Sequence, residues 1–119
     1  VKAGDTEEDA RVLCAKIAKL RIFEDGEGRM NLSVNDIGGG ALAVSNFTLL
    51  ANYSHGNRPD FFSAEKPARA SELFDFFVLT LSGLISGGVQ TGVFGADMTL
   101  SIENDGPVTV VMDSEKLKK

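Results

Sequence analysis

Ala10, Leu13, Ile17 and Leu20 recur at the three- and four-residue spacing of one helical face. Ahead of them stands Gly4-Asp5-Thr6-Glu7-Glu8-Asp9, offering Asp5 or Thr6 as N-cap. Its carboxylates fall in the first turn, where the helix dipole favours negative charge. Lys16, Lys19 and Arg21 come late in the run, as the opposite pole favours. The spacing predicts a helix over residues 7–19. Leu73, Phe76, Phe77 and Leu81 repeat the pattern after Pro67, a residue suited to a first turn. They predict a second helix, ending near Leu84 and closed by Gly87-Gly88.

Between and after these helices the period changes. Residues 24–28 read as a polar turn, Leu32 to Val34 as a short extended piece, and Gly38-Gly39-Gly40 as a break. Residues 41–50 are mostly apolar without a helical period, which predicts a strand buried on both faces. A polar loop follows over 52–63, holding His55, Arg58 and Pro59. Strands are expected at 89–94, 98–103 and 108–112, with a charged, frayed tail at 114–119. The last two strands flank Asn104-Asp105-Gly106-Pro107. Proline brings no N–H to a ladder, so the Gly-Pro step stops pairing and turns bare backbone outward. It is also a place where a cis bond is cheap, the trans preference of X-Pro being only ~0.5–1 kcal/mol. On local pattern it is a hairpin turn. The pattern is that of one α+β domain over residues 1–119, with a mainly antiparallel sheet and two helices.

Composition narrows the class of function. A chain of 119 residues supports one modest core. Twelve Lys and Arg against 17 Asp and Glu leave a net charge of −5. That argues against broad affinity for nucleic acid, though not against a local patch that reads one RNA end. No apolar run approaches the ~18–20 residues that span a bilayer, and no secretory signal is visible. Cys14 is the only cysteine, so no internal disulfide forms. This fits a reducing compartment, most simply the cytoplasm. The chain opens on Val1 without an initiator Met, and N-terminal sequence is expected to precede it.

Side-chain chemistry is sparse. His55, the only histidine, has no Cys or Asp at metal-ligand spacing and reads as a solvated loop imidazole. Cys14, beside Leu13 and Ile17, reads as a small apolar filler rather than a nucleophile. Gly38-Gly39-Gly40 lacks the Lys-Ser/Thr that completes a phosphate loop. No Ser-His-Asp set follows from spacing. An enzyme built from these residues would act on an already reactive bond or through backbone groups, and an ester with a good leaving group meets that limit.

Six segments, in order and over nearly the whole chain, resemble the D-aminoacyl-tRNA (D-tyrosyl-tRNA) deacylase family. They are residues 4–9; Arg21-Ile22-Phe23-Glu24-Asp25 with Met30-Asn31-Leu32-Ser33; Ser45-Asn46-Phe47-Thr48-Leu49; the His55-Gly56-Asn57-Arg58-Pro59 loop; Thr91 to Met98; and Asn104 to Thr109. The resemblance implies the family's α+β fold, with the sheet curled into a partial barrel, and a homodimer acting on D-aminoacyl-tRNA. It implies no metal or cofactor and no membrane or DNA partner. In the family the Gly-Pro step, here Gly106-Pro107 with Asn104 beside it, is cis and enters the other subunit's pocket. Its carbonyls fill the space an L-side chain would need, so selectivity is by exclusion. Ser45, Asn46, Phe47 and Thr48 correspond to the catalytic segment. There Thr48 is one candidate nucleophile; the more economical account uses backbone donors near Asn46 and Phe47 with the 2′-hydroxyl of the terminal adenosine. Phe94, Gly95, Ala96 and Met98 correspond to the segment that holds that adenosine.

Two departures qualify the match. Asn46 stands where the family carries Gln, and the family's N-terminal strands, one bearing an arginine that fixes the Gly-Pro loop, are not in this sequence. Two other readings therefore stand beside the esterase. One is an impaired or inactive dimeric homologue that only binds RNA ends, and the other is an unrelated α+β interaction domain. Lys16, Lys19, Arg21, Arg29 and Arg58 are the cations available to RNA, and each also reads as an ordinary surface charge.

Overall fold

A computed structural model describes residues 1–118. Two helices, α1 (Glu7–Lys19) and α2 (Pro67–Ser82), carry most of the packing. Thr6 is the N-cap of α1, and Asp9 completes a capping box by accepting the Thr6 N–H at 2.8 Å. Two orphan donors of the first turn are thereby satisfied reciprocally. Pro67 occupies the first turn of α2, where its missing N–H costs nothing. Both helices fall where the apolar spacing puts them, and α2 stops two residues short of Leu84.

The core lies between the helices and the strands they cover. Cys14, Ala18, Val34, Leu81 and Ile85 are buried together, with Ile17, Phe23, Ala41, Phe77 and Val89 packed against them. Cys14 is fully buried and its thiol donates to the Phe77 carbonyl at 3.4 Å. Burial pushes the thiol pKa up to about 11, so it remains protonated and inert at neutral pH, as an apolar filler does. Phe76 is half-buried, and its ring lies 5.2 Å beneath the Arg11 guanidinium. Arg69 of α2 bridges to Glu7 of α1 at 3.1 Å.

The sheet is smaller than the sequence pattern suggests. β1 (Phe23–Glu24) pairs antiparallel with β2 (Met30–Leu32), while β3 (Ala41–Ala43) pairs parallel with β4 (Val89–Thr91). The architecture is α+β with two helices, but only one ladder is antiparallel. No barrel closes among the described residues. Parallel pairing is reached because α2 forms the crossover between β3 and β4.

Three expectations fail. The apolar run 41–50 is a strand only to Ala43, and Phe47–Leu50 is a 3-10 helix with Phe47 and Leu49 exposed. A continuous apolar run does not by itself distinguish these states. Residues 98–103 and 108–112 form no strands; from 97 to 112 there is no backbone–backbone hydrogen bond among the described residues. Alternating apolar residues make a strand only where a neighbour supplies the ladder. Nor is the tail frayed through residue 118: Ser114–Lys116 is a 3-10 helix, Ser114 donates to Asp9 at 2.8 Å, and Lys118 pairs with Asp9 at 2.7 Å. Lys119 lies outside the described residues.

Gly38-Gly39-Gly40 and Gly87-Gly88, read as breaks, meet where two main chains cross. A Cβ on Gly87 would lie 2.0 Å from the Gly39 carbonyl oxygen, and one on Gly40 would lie 3.1 Å from that of Gly88. Ala41 N–H donates to Gly88 at 3.0 Å just beyond the crossing, which seats β3 beside β4.

Candidate active site

β3 and β4 bring two of the three predicted site segments together. Ala43 and Thr91 are register partners, and Gly92 N–H extends the ladder by donating to Ala43 at 3.1 Å. The Ser45–Thr48 segment leaves one strand and the Phe94–Met98 segment the other, at the same carboxyl end. Met98 folds back over Gly92, where a Cβ would meet its sulfur at 2.7 Å and Val44 Cγ1 at 3.7 Å. A side chain at position 92 would require the Met98 thioether to shift. The Phe94–Gly95 turn is closed by Ala96 N–H to Val93 at 3.1 Å, with Gly95 at φ +76°, a conformation that favours glycine. Phe94 lies against Phe74 of α2, ring centroids 6.2 Å apart, in a shallow groove of about 300 Å³ that Thr91 and Gly92 also line.

The candidate catalytic segment is a tight turn. Ser45 is half-buried, while Asn46, Phe47 and Thr48 are exposed. Asn46 caps the 3-10 helix: its Oδ1 accepts the Thr48 N–H at 3.1 Å and the Thr48 hydroxyl at 2.5 Å. The Thr48 hydroxyl therefore gives its proton to a neutral amide oxygen, not to a base. No imidazole or carboxylate hydrogen-bonds to it among the described residues, so it lacks the partner that activates a hydroxyl nucleophile. Phe47, the first residue of the helix, has an N–H with no intrahelical acceptor by construction. Its ring packs edge-on against Phe61 at 5.1 Å.

The third segment stands apart. Gly106-Pro107 is cis, and Gly106 has φ +131°, where a Cβ would lie 2.9 Å from Val108 Cγ2. Asn104 staples the loop: its Oδ1 accepts the Val108 N–H at 2.9 Å and its Nδ2 donates to Thr109 at 3.0 Å. The concavity here is lined only by residues 103–107. Within the described residues no hydrogen bond, aromatic contact or shared cavity joins this loop to Ser45–Thr48.

Charge distribution adds a feature that motif reading overlooked. None of the 17 Asp and Glu falls within residues 37–59 or 76–96. Both strands and the candidate catalytic turn lie in these carboxylate-free stretches, although Asp75 of α2 lines the groove beside Thr91, Gly92 and Phe94. Of the five cations, Arg21 is held on β2, its Nε donating to the Asn31 carbonyl at 3.0 Å. Arg58 lies in the loop that follows the candidate catalytic turn and pairs with no carboxylate among the described residues. No group of three or more His, Cys, Asp or Glu side chains there is placed to hold a metal ion.

The profile of the family described as D-Tyr-tRNA(Tyr) deacylase matches residues 1–113. This chain belongs to that family. Among its curated relatives, a D-aminoacyl-tRNA deacylase of Persephonella marina is 56% identical over 117 residues, covering 98% of this chain and 78% of the relative. One from Akkermansia muciniphila is 51% identical over 116 residues, covering 98% and 77%. A solved structure titled c-Myc DNA Unwinding Element Binding Protein superposes with a TM-score of 0.85 at 36% identity, covering 92% of this chain and 74% of that one. The deacylase-family membership accounts for the order of the six segments. This chain spans about three quarters of the relatives' length.

Proposed function

We propose that this protein is a hydrolase that cleaves the ester between a D-amino acid, or mischarged glycine, and tRNA in the cytoplasm. The observation that carries the reading is the agreement of about half the residues with D-aminoacyl-tRNA deacylases along 98% of the chain. Water attacks the ester carbonyl, and the bond to the ribose oxygen of the terminal adenosine breaks. The neighbouring 2′-hydroxyl handles the proton. Backbone N–H groups around Asn46 and Phe47 hold the developing oxyanion, a task suited to preorganised donors and needing no reactive side chain. Phe94, Gly95, Ala96 and Met98 hold the adenosine, on the segment that leaves β4 at the same end as the turn leaves β3. In a homodimer, Gly106-Pro107, kept in shape by Asn104, enters the partner's cleft and denies space to an L-side chain.

The test compares hydrolysis of D- and L-aminoacyl-tRNA by the purified protein. Turnover of the D-form is expected to exceed the L-form at least 100-fold, and equal rates reject the reading. Asn46 favours a second reading, an impaired homologue, because its side chain is one methylene shorter than the Gln of the family and is tied back through Oδ1 to Thr48, which limits the reach of its Nδ2 donor. Asn46→Gln separates the two. Turnover gained by that variant marks the natural chain as impaired; turnover unchanged or lost marks Asn46 as competent.

A further inference from the structure

Phe62 is 89% exposed and Tyr53 76% exposed, both on the loop that continues from the catalytic turn. The loop is built to hold them. Asn52 N–H donates to Asp60 at 2.8 Å and Asp60 N–H returns to Asn52 at 2.9 Å, pinning its two ends. Asn52 Oδ1 accepts from Ser54 N–H and hydroxyl, while Asp60 takes Asn52 Nδ2 at 3.3 Å and Phe62 N–H at 3.4 Å. Tyr53 and Phe62 thus follow the two pinned ends directly or by one residue. Phe61, next to Phe62, packs on Phe47 and moors the loop beside the candidate site.

We propose that Tyr53 and Phe62 are stacking rings for the unpaired bases that precede the terminal adenosine of the substrate's acceptor end. This rests on the deacylase reading. Every base offers a π-face, so exposed aromatics beside a cation bind single strands with little regard to sequence. Residues 52–58 carry no carboxylate, and Arg58 supplies the one positive charge. Asp60, the nearest acid along the chain, keeps its charge, and its carboxylate is turned back onto the loop by Asn52 Nδ2 and the Phe62 N–H. The loop is otherwise polar, Ser54-His55-Gly56-Asn57, unlike the aliphatic side chains along residues 97–112 that suit a protein surface.

The experiment compares Tyr53→Ala, Phe62→Ala and Tyr53→Phe on two substrates, D-aminoacyl-tRNA and a D-aminoacyl ester of adenosine alone. Each alanine variant is expected to raise KM for the tRNA about 5- to 30-fold with kcat unchanged. The nucleoside ester, which has no upstream bases, is expected to be unaffected, and Tyr53→Phe to retain normal KM. Anisotropy with a short single-stranded RNA ending in C-C-A decides the matter even without turnover: both alanine variants should bind it more weakly. Inactivity of the natural chain on both substrates with normal RNA binding refutes the deacylase reading alone. Equal RNA binding by all variants overturns the stacking proposal, as does a change in oligomeric state on sedimentation with RNA binding intact.

Discussion

Between α1 and α2, Leu81 is 2% exposed and Cys14 is closed off entirely; along residues 97–112, Val111 is 93% exposed and Leu100, Ile102 and Val110 also face solvent. Both stretches are apolar, but among the described residues only the first is packed against neighbours. Helices satisfy their backbone internally, so amphipathic α1 and α2 needed only apolar surface to cover their inner faces, which each other and Phe23, Val34, Ala41, Ile85 and Val89 supply. An extended segment needs a second chain segment both for its hydrogen bonds and for its side chains. Apolar sequence is thus no measure of stabilisation until its partner is identified.

The sharpest way to break this contrast is to truncate one side chain in each region. Leu81→Ala removes a fully packed residue and is expected to cost about 2–5 kcal/mol, read by urea or thermal unfolding. A loss below ~1 kcal/mol would show that the helical half is not the stability core. Next in size is the junction of tail and α1. The Lys118 ammonium, then the Thr6 N–H and the Ser114 hydroxyl, hold Asp9 well below the usual carboxylate range. The unfolded chain therefore binds more protons than the folded one once the pH drops below about 4, and stability rises with pH through that window. The contribution is complete above about pH 5 and lost as the pH falls through the folded value. Asp9→Ala is expected to cost about 1–3 kcal/mol at pH 7, with the gap to the natural chain narrowing at pH 3. A gap independent of pH would refute the charge-based account. Smallest is Val111→Thr, expected to stay within ~0.5 kcal/mol by the same unfolding measurement, since Val111 is almost fully exposed among the described residues. A larger loss would mean that the 97–112 segment finds a neighbour in solution.

Legibility in the sequence followed the same division. Helix α1 was readable to the residue because Thr6, Asp9 and the Ala10–Leu13–Ile17 spacing are local signals. The Cys14 role followed from its place on that face. Phe47–Leu50 was not readable as a 3-10 helix, because the deciding contact is the Asn46 cap inside an apolar run. The parallel register of β3 on β4 was equally hidden, being set by a glycine crossing nearly fifty residues apart in sequence. The motif segments themselves could be found by pattern, but their grouping at one strand end could not. The stacking rings were passed over because Tyr53 and Phe62 lie outside any recognised pattern, and only their exposure marks them.

The register pairing of Ala43 with Thr91 also fixes a distance that no side chain adjusts. Neighbouring strands sit ~4.8 Å apart and each residue advances ~3.3 Å, so the two departing loops share a common origin set by covalent geometry. A one-residue slip would offset them by a full step and turn every side chain to the opposite face. An insertion in either short strand is therefore the change that this spacing tolerates least.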